Sequence, residues 1–227
     1  MTFKAQIKIT LFLFFFLTSN NLAFTQNTQS YFFENEFEVS LTLVNRWSMN
    51  FGVGSRSLLE ERFDGERIFG YQHEHLELNH FTNYQTNESL LLSLGLRYRF
   101  KEIFNPIETN EIRIIEQIKF VPINSSLFHR LRLEQRFRKN TIHRLRYDIS
   151  YLFPLDQNFS LTLGTEALYA ISSQLKPEAE QRFSIDLEIS ALKDLELELG
   201  FEYRIENYSQ DLEHEFFILT GMSLNLN

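Results

Sequence analysis

The sequence predicts an all-β fold, a single closed antiparallel transmembrane β-barrel, and two patterns carry that prediction. Apolar and polar residues alternate with period two along most of the chain, and short connections alternate with longer ones. Side chains two apart on a strand point the same way, so strict alternation gives each strand one apolar and one polar face.

The first element is not a strand. Lys4 and Lys8 precede an apolar run at residues 9–17, polar residues follow at 18–21, and Ala23 and Thr25 precede Gln26. A positive start, a short apolar run and small residues before the cut describe a secretory signal peptide. The run is about half the ~20 residues that a membrane-crossing helix needs. The expected division is therefore a cleaved signal peptide at 1–25 and a barrel at 26–227.

The strands follow in order. Segments 31–43, 47–61 and 67–84 alternate weakly. From residue 89 the pattern is strong, with Leu90, Leu92, Leu94, Leu96, Tyr98 and Phe100 on one face and Ser93, Gly95, Arg97 and Arg99 on the other. Segment 110–121 is weaker. In 127–137, Leu127, Leu131, Leu133 and Phe137 alternate with Arg130, Arg132, Glu134 and Arg136. In 141–153, Leu145, Tyr147, Ile149, Tyr151 and Phe153 alternate with Arg144, Arg146, Asp148 and Ser150. Segments 159–170 and 181–191 come next. In 195–205, Leu195, Leu197, Leu199, Phe201, Tyr203 and Ile205 alternate with Glu196, Glu198, Gly200, Glu202 and Arg204, and 213–226 closes the series. Each is about ten residues or more, the length that a tilted strand needs to cross a bilayer.

Short connections fall at 44–46, 85–88, 122–126, 154–158 and 192–194, and longer ones at 62–67, 101–110, 171–180 and 207–212, with 138–141 the shortest of the second set. Short periplasmic turns alternating with longer outer loops fit an outer-membrane barrel of a Gram-negative-type cell. This order places the two chain ends on opposite sides, at odds with an even strand number. The expectation is 10–12 strands, with 12 preferred.

Composition excludes several classes. Mean hydropathy is −0.25 and no run reaches 18 apolar residues, so helical membrane spans are excluded. There is no cysteine, hence no disulfide framework or thiolate metal site. Removing 1–25 takes two lysines from the 22 basic residues and none of the 30 acidic ones, which moves the net charge from −8 to about −10. That sign disfavours nucleic acid as a partner. The expected partners are outer-membrane lipid and, during insertion, the barrel-assembly machinery.

The polar faces are charge-sorted. Arg97, Arg99, Arg113, Lys119, Arg130, Arg132, Arg136, Arg144 and Arg146 stand against Glu134 and Asp148 in the middle of the chain. Glu166, Asp186, Glu188, Glu196, Glu198 and Glu202 stand against Arg204 toward its end. Lining a lumen suits such stacks, and guanidinium–carboxylate pairing across neighbouring or facing arcs would fill it. The same residues could instead form a narrow ion or solute path with one basic and one acidic wall.

Chemistry is sparse. His73, His75 and His80 cluster without further ligands at fixed spacing, so neither a metal nor any other cofactor is expected. His129 and His143 lie on apolar faces, where an outer-membrane phospholipase or deacylase carries His-x-Ser, but Leu131 and Leu145 occupy the serine positions. An outer-leaflet lipid-modifying hydrolase remains the alternative to a structural barrel or narrow path.

Three stretches carry a family resemblance: residues 111–117 with Arg113 and Glu116-Gln117, 129–137 with Arg130, Arg132, Glu134, Gln135 and Arg136, and 143–147 with Arg144 and Arg146. With Glu166 following, the chain resembles the outer-membrane barrel family known as domain of unknown function 2490. The resemblance implies a signal peptide, one barrel of this size and an outer-membrane location, and it carries no activity.

Overall fold

The computed structural model describes residues 28–101, 110–208 and 212–226. The expected signal peptide, parts of the 101–110 and 207–212 connections and the chain's last residue lie outside them.

Among these residues there are twelve strands and no helix. They are β1 (Thr28–Thr42), β2 (Trp47–Phe63), β3 (Glu66–Phe69), β4 (Gln72–Asn87), β5 (Leu90–Phe100), β6 (Glu111–Phe120), β7 (Leu127–Phe137), β8 (Thr141–Pro154), β9 (Phe159–Ile171), β10 (Glu178–Leu192), β11 (Leu195–Glu206) and β12 (Glu213–Leu226). Each pairs with its neighbours in chain order, except that β2 pairs with β4 and β3 hangs from the end of β2. β1 pairs with both β2 and β12, which closes the sheet. The all-β closed barrel is therefore as the alternation predicts.

The closure refines the expected count. Twelve strands are present, but β3 stands outside the circuit and eleven make the barrel. Strands that reverse direction at every turn close in an antiparallel ring only when their number is even. With eleven, one pair has to run parallel, and that pair is β1–β12, from Gln29 beside His214 to Leu41 beside Leu226. The odd count that the alternation yields and the placement of the chain ends at opposite rims are thus compatible.

The segment read as 67–84 is divided, and the connection expected at 62–67 is a tight turn. β2 runs on to Phe63, and Asp64 (φ 50°) and Gly65 (φ 84°) reverse the chain into β3. Positive φ at both turn residues is what a two-residue hairpin of this hand requires, and Asp-Gly supplies it.

The two rims differ. Short connections at 43–46, 88–89, 121–126, 155–158 and 193–194 gather at one, the turn end, and the longer connections at the other, the loop end. An eleven-residue strand such as β5, at ~3.3 Å per residue and a tilt of ~40°, rises about 25 Å between them.

The wall is apolar outside and charged inside. Leu94 is 57% exposed on the outer surface, whereas Glu134 is 0% exposed on the inner one. Aromatic side chains flank the outer aliphatic band. Tyr31 and Tyr203 stack on Phe216 at 5.2 and 5.1 Å near the loop end, and Trp47–Tyr84 (4.8 Å) and Tyr151–Phe153 (4.5 Å) pair near the turn end.

Candidate functional site in the lumen

Period-two alternation turns one residue in two toward the barrel axis, so the strands themselves position the lumen. Near the loop end, arginines and glutamates of adjacent strands interlock. Glu77 of β4 accepts from Arg97 and Arg99 of β5 at 2.8 and 2.9 Å. Glu111 of β6 holds Arg113 on its own strand and Arg136 of β7, the latter at 2.9 Å. Glu134 of β7 takes Arg146 of β8 at 2.9 Å and Arg132 at 3.5 Å. Arg146 also reaches Glu166 of β9 at 2.5 Å, and Arg130 approaches Glu166 at 3.3 Å and Asp148 at 3.8 Å. Arg182 of β10 continues to Glu180 at 2.5 Å and to Glu202 of β11 at 3.8 Å, and Arg204 holds Glu202 at 2.5 Å. Arg144 pairs with Glu178 at 3.6 Å.

These bonds run along the wall, between neighbours or next-neighbours, and not across the lumen. The sequence suggested a basic arc neutralised by an acidic one. The two arcs meet at their boundary, where Arg130 and Arg146 reach Glu166 and Arg144 reaches Glu178; elsewhere the basic strands have carboxylates of their own, with Glu77 and Glu111 beside them, and the acidic strands have Arg182. Arg132 bonds Gln117 at 2.7 and 3.1 Å and Glu134, and not Glu198.

The turn-end half is different. Asp186, Glu188, Glu196 and Glu198 have no ion-pair partner among the described residues; Glu196 accepts only from Ser223 and Asn225. On β1, Glu36 accepts from Asn79 at 2.6 Å and Glu38 from Asn50 at 2.5 Å, again without a cation. Facing them, Lys119 has no ion-pair partner among the described residues. Glu36 and Glu38 share the lining of a cavity of about 460 Å³ with Arg97, Lys119, Arg130 and Arg132. A central cavity of about 530 Å³ and a smaller acidic one of about 270 Å³, lined by Glu188, Glu196 and Glu198, share residues with each other. The lumen is thus neutralised by pairing near the loop end, whereas toward the turn end the acidic wall and Lys119 have no ion-pair partner among the described residues.

Apolar residues also enter the interior, which alternation alone did not indicate. Phe32, Leu58 and Phe217 pack together near the loop end, and the guanidinium groups of Arg204 and Arg56 lie 3.6 and 4.9 Å from the Phe217 ring centroid. Ile142, Leu168 and Ala170 form a second buried group. Gly95 faces inward under the ring of Phe81, which occupies the space that a Cβ would need.

Several lumen residues escaped sequence reasoning: Glu34, Glu36, Glu38, Arg56, Glu77, Glu111, Glu180, Arg182 and Glu215. The run Glu34-x-Glu36-x-Glu38 was a usable signal, whereas Arg56 shares its face with Gly52 and Gly54, which mark no charged face. Arg56 bonds Glu34 at 2.8 Å.

The histidines lie apart from this network, apart from His75. His129 bonds the Tyr147 hydroxyl at 3.0 Å on the outer wall, and His80 bonds Thr82 at 3.1 Å. No serine is hydrogen-bonded to His129 or His143 among the described residues, and no group of three or more His, Asp or Glu is arranged to hold a metal ion there.

An apolar outer wall around a charged interior makes this molecule a closed β-barrel with an ionised lumen. The chain belongs to the family described as "Protein of unknown function (DUF2490)", whose model matches residues 28–214, from the start of β1 into β12. No curated protein matches it.

Proposed function

We propose that the protein is an outer-membrane barrel whose lumen forms a narrow, charge-sorted path for small ions or zwitterionic solutes. Support for the membrane setting is the exposed aliphatic band between two aromatic belts, the outer surface expected of a barrel in lipid. One observation carries the path: the cavity of about 460 Å³ has carboxylates on one side and Arg97, Lys119, Arg130 and Arg132 on the other, without ion pairs joining the sides. Fixed charges of opposite sign across a constriction orient dipolar solutes and retain ions of both signs. Lateral pairing near the loop end leaves the lumen centre open enough for the 530 Å³ cavity but far too narrow for a general porin.

The test is recording from purified protein in planar bilayers. The expected result is a small, ion-selective conductance reduced by millimolar zwitterionic amino acids. A large unselective conductance overturns the narrow path. Complete silence favours a second reading, a closed scaffold, for which Phe217 held between Arg56 and Arg204 speaks.

A further inference from the structure

Glu116 breaks the outer wall. On β6, Ile112, Ile114, Ile118 and Phe120 point outward, and Glu116 stands exposed among them. Register sets it beside Leu94 of β5 and Leu133 of β7, each near the middle of its strand. Its neighbour Ile115 points inward and is fully buried beside Glu134. At this one step the barrel's rule is inverted, with the apolar residue inside and the carboxyl outside. Glu116 makes no hydrogen bond or ion pair among the described residues. It is also the one carboxylate there that alternation places on the outer wall between the aromatic belts.

A carboxyl at that depth on a lipid-facing wall is destabilising unless something bonds it, which makes it a functional candidate by default. Resting on the membrane reading above, we infer that Glu116 marks the contact between two copies of this chain. The two β5–β6–β7 walls face each other about a two-fold axis parallel to the barrel axis. Such an axis brings every residue to its own height on the second copy, so Glu116 meets Glu116. One carboxyl O–H donates and the other carboxyl oxygen accepts, which satisfies both groups in a place where water is absent. Leu94, Leu133, Ile114 and Ile118 form an aliphatic rim that keeps lipid away from the pair.

The remaining outer wall offers nothing better. No outward-facing Lys or Arg lies between the belts among the described residues. The outward polar pair at the β1–β2 seam is already engaged, Ser55 donating to Asn35 at 3.3 Å.

The absence of cysteine makes single-cysteine crosslinking clean. Leu133→Cys reports the β7 wall and Leu199→Cys the far wall on β11, both in otherwise intact full-length protein in outer-membrane vesicles. Under oxidation, Leu133→Cys is expected to give a disulfide-linked dimer and Leu199→Cys none. Adding Glu116→Leu should lower the dimer yield by roughly tenfold, whereas Glu116→Gln, which keeps a donor and an acceptor, should preserve it. Heat-modifiable migration on gels confirms that each variant is a folded barrel. Equal crosslinking from both walls, or a Leu133→Cys dimer indifferent to Glu116→Leu, overturns the pairing. If the wild-type chain fractionates away from the outer membrane, the membrane reading fails first; if it inserts but gives no wall-specific dimer, only the pairing fails.

Discussion

Arg146 donates through Nη2 to Glu166 at 2.5 Å, tying β8 to β9. Through Nη1 the same guanidinium donates to Glu134 at 2.9 Å, so one side chain joins three strands. Both carboxylates are almost wholly buried, at 4% and 0% exposure. Substituting Arg146→Met leaves two buried carboxylates with only longer ion pairs, Glu134 to Arg132 at 3.5 Å and Glu166 to Arg130 at 3.3 Å, and should destabilise the barrel by about 3 kcal/mol. The urea midpoint for loss of the heat-modifiable band measures it. Adding Glu134→Gln, which removes one negative charge for the positive one lost, should recover part of the loss.

On the narrow-path reading, the acidic wall without ion pairs should set ion preference. With Glu196→Gln and Glu198→Gln combined, reversal potentials in a salt gradient should shift toward anions, the permeability ratio changing on the order of twofold. Lys119→Glu should shift it the other way. Identical potentials in all three proteins would remove the turn-end walls from the conduction path.

Phe217 narrows the loop end. Phe217→Ala removes the ring that two guanidinium groups cover and should raise unitary conductance while costing about 3–5 kcal/mol of stability. A destabilised variant with unchanged conductance would place the constriction elsewhere.

Gly95 leaves room for Phe81. Gly95→Ala forces that ring aside and should cost about 1–3 kcal/mol. Pairing it with Phe81→Leu should return most of that stability, which a double-mutant cycle on urea midpoints reads directly.

The parallel seam puts the start of β1 and the end of β12 at opposite rims. On the membrane reading, epitopes inserted before β1 and after β12 should therefore be reached by antibody from opposite faces of the membrane. Labelling of both from the same face of intact cells contradicts the closure.

How much of this was legible depended on regularity. In β5, β7 and β8 the alternation is strongest, and there the sequence pattern and the strands agree closely. In β2 and β4 an extra residue interrupts the ladder, Leu59 opposite Tyr31/Phe32 and Glu74 opposite Arg56/Ser57, and a one-residue slip exchanges the faces. Arg56 itself keeps phase with Asn50, Gly52 and Gly54, small residues that mark no charged face, although Glu34 waits beside it. Arg182 was missed although it stands in clean alternation with Ser184 and Asp186, because the acidic residues after it dominated the reading. The direction of the seam could not be read at all, since alternation along a strand carries no information about which strand lies beside it. Pairing partners were equally hidden: Arg132 and Glu198 both face inward, but only register decides that Arg132 meets Gln117.

The lateral character of the ion pairs has a bearing on how the chain assembles. Glu77 with Arg99, Glu111 with Arg136, and Glu134 with Arg146 each join strands adjacent along the chain, so each hairpin neutralises its own charges as it forms. The seam is the exception, because β1 and β12 lie at the two ends of the polypeptide, and bringing them together carries the largest loop-closure entropy. Glu34 finds its arginine on β2, not on β12, so the leading edge is charge-satisfied before its last neighbour arrives. The barrel can therefore grow as a stable curled sheet from either end, leaving a single slow step in which one backbone edge meets the other.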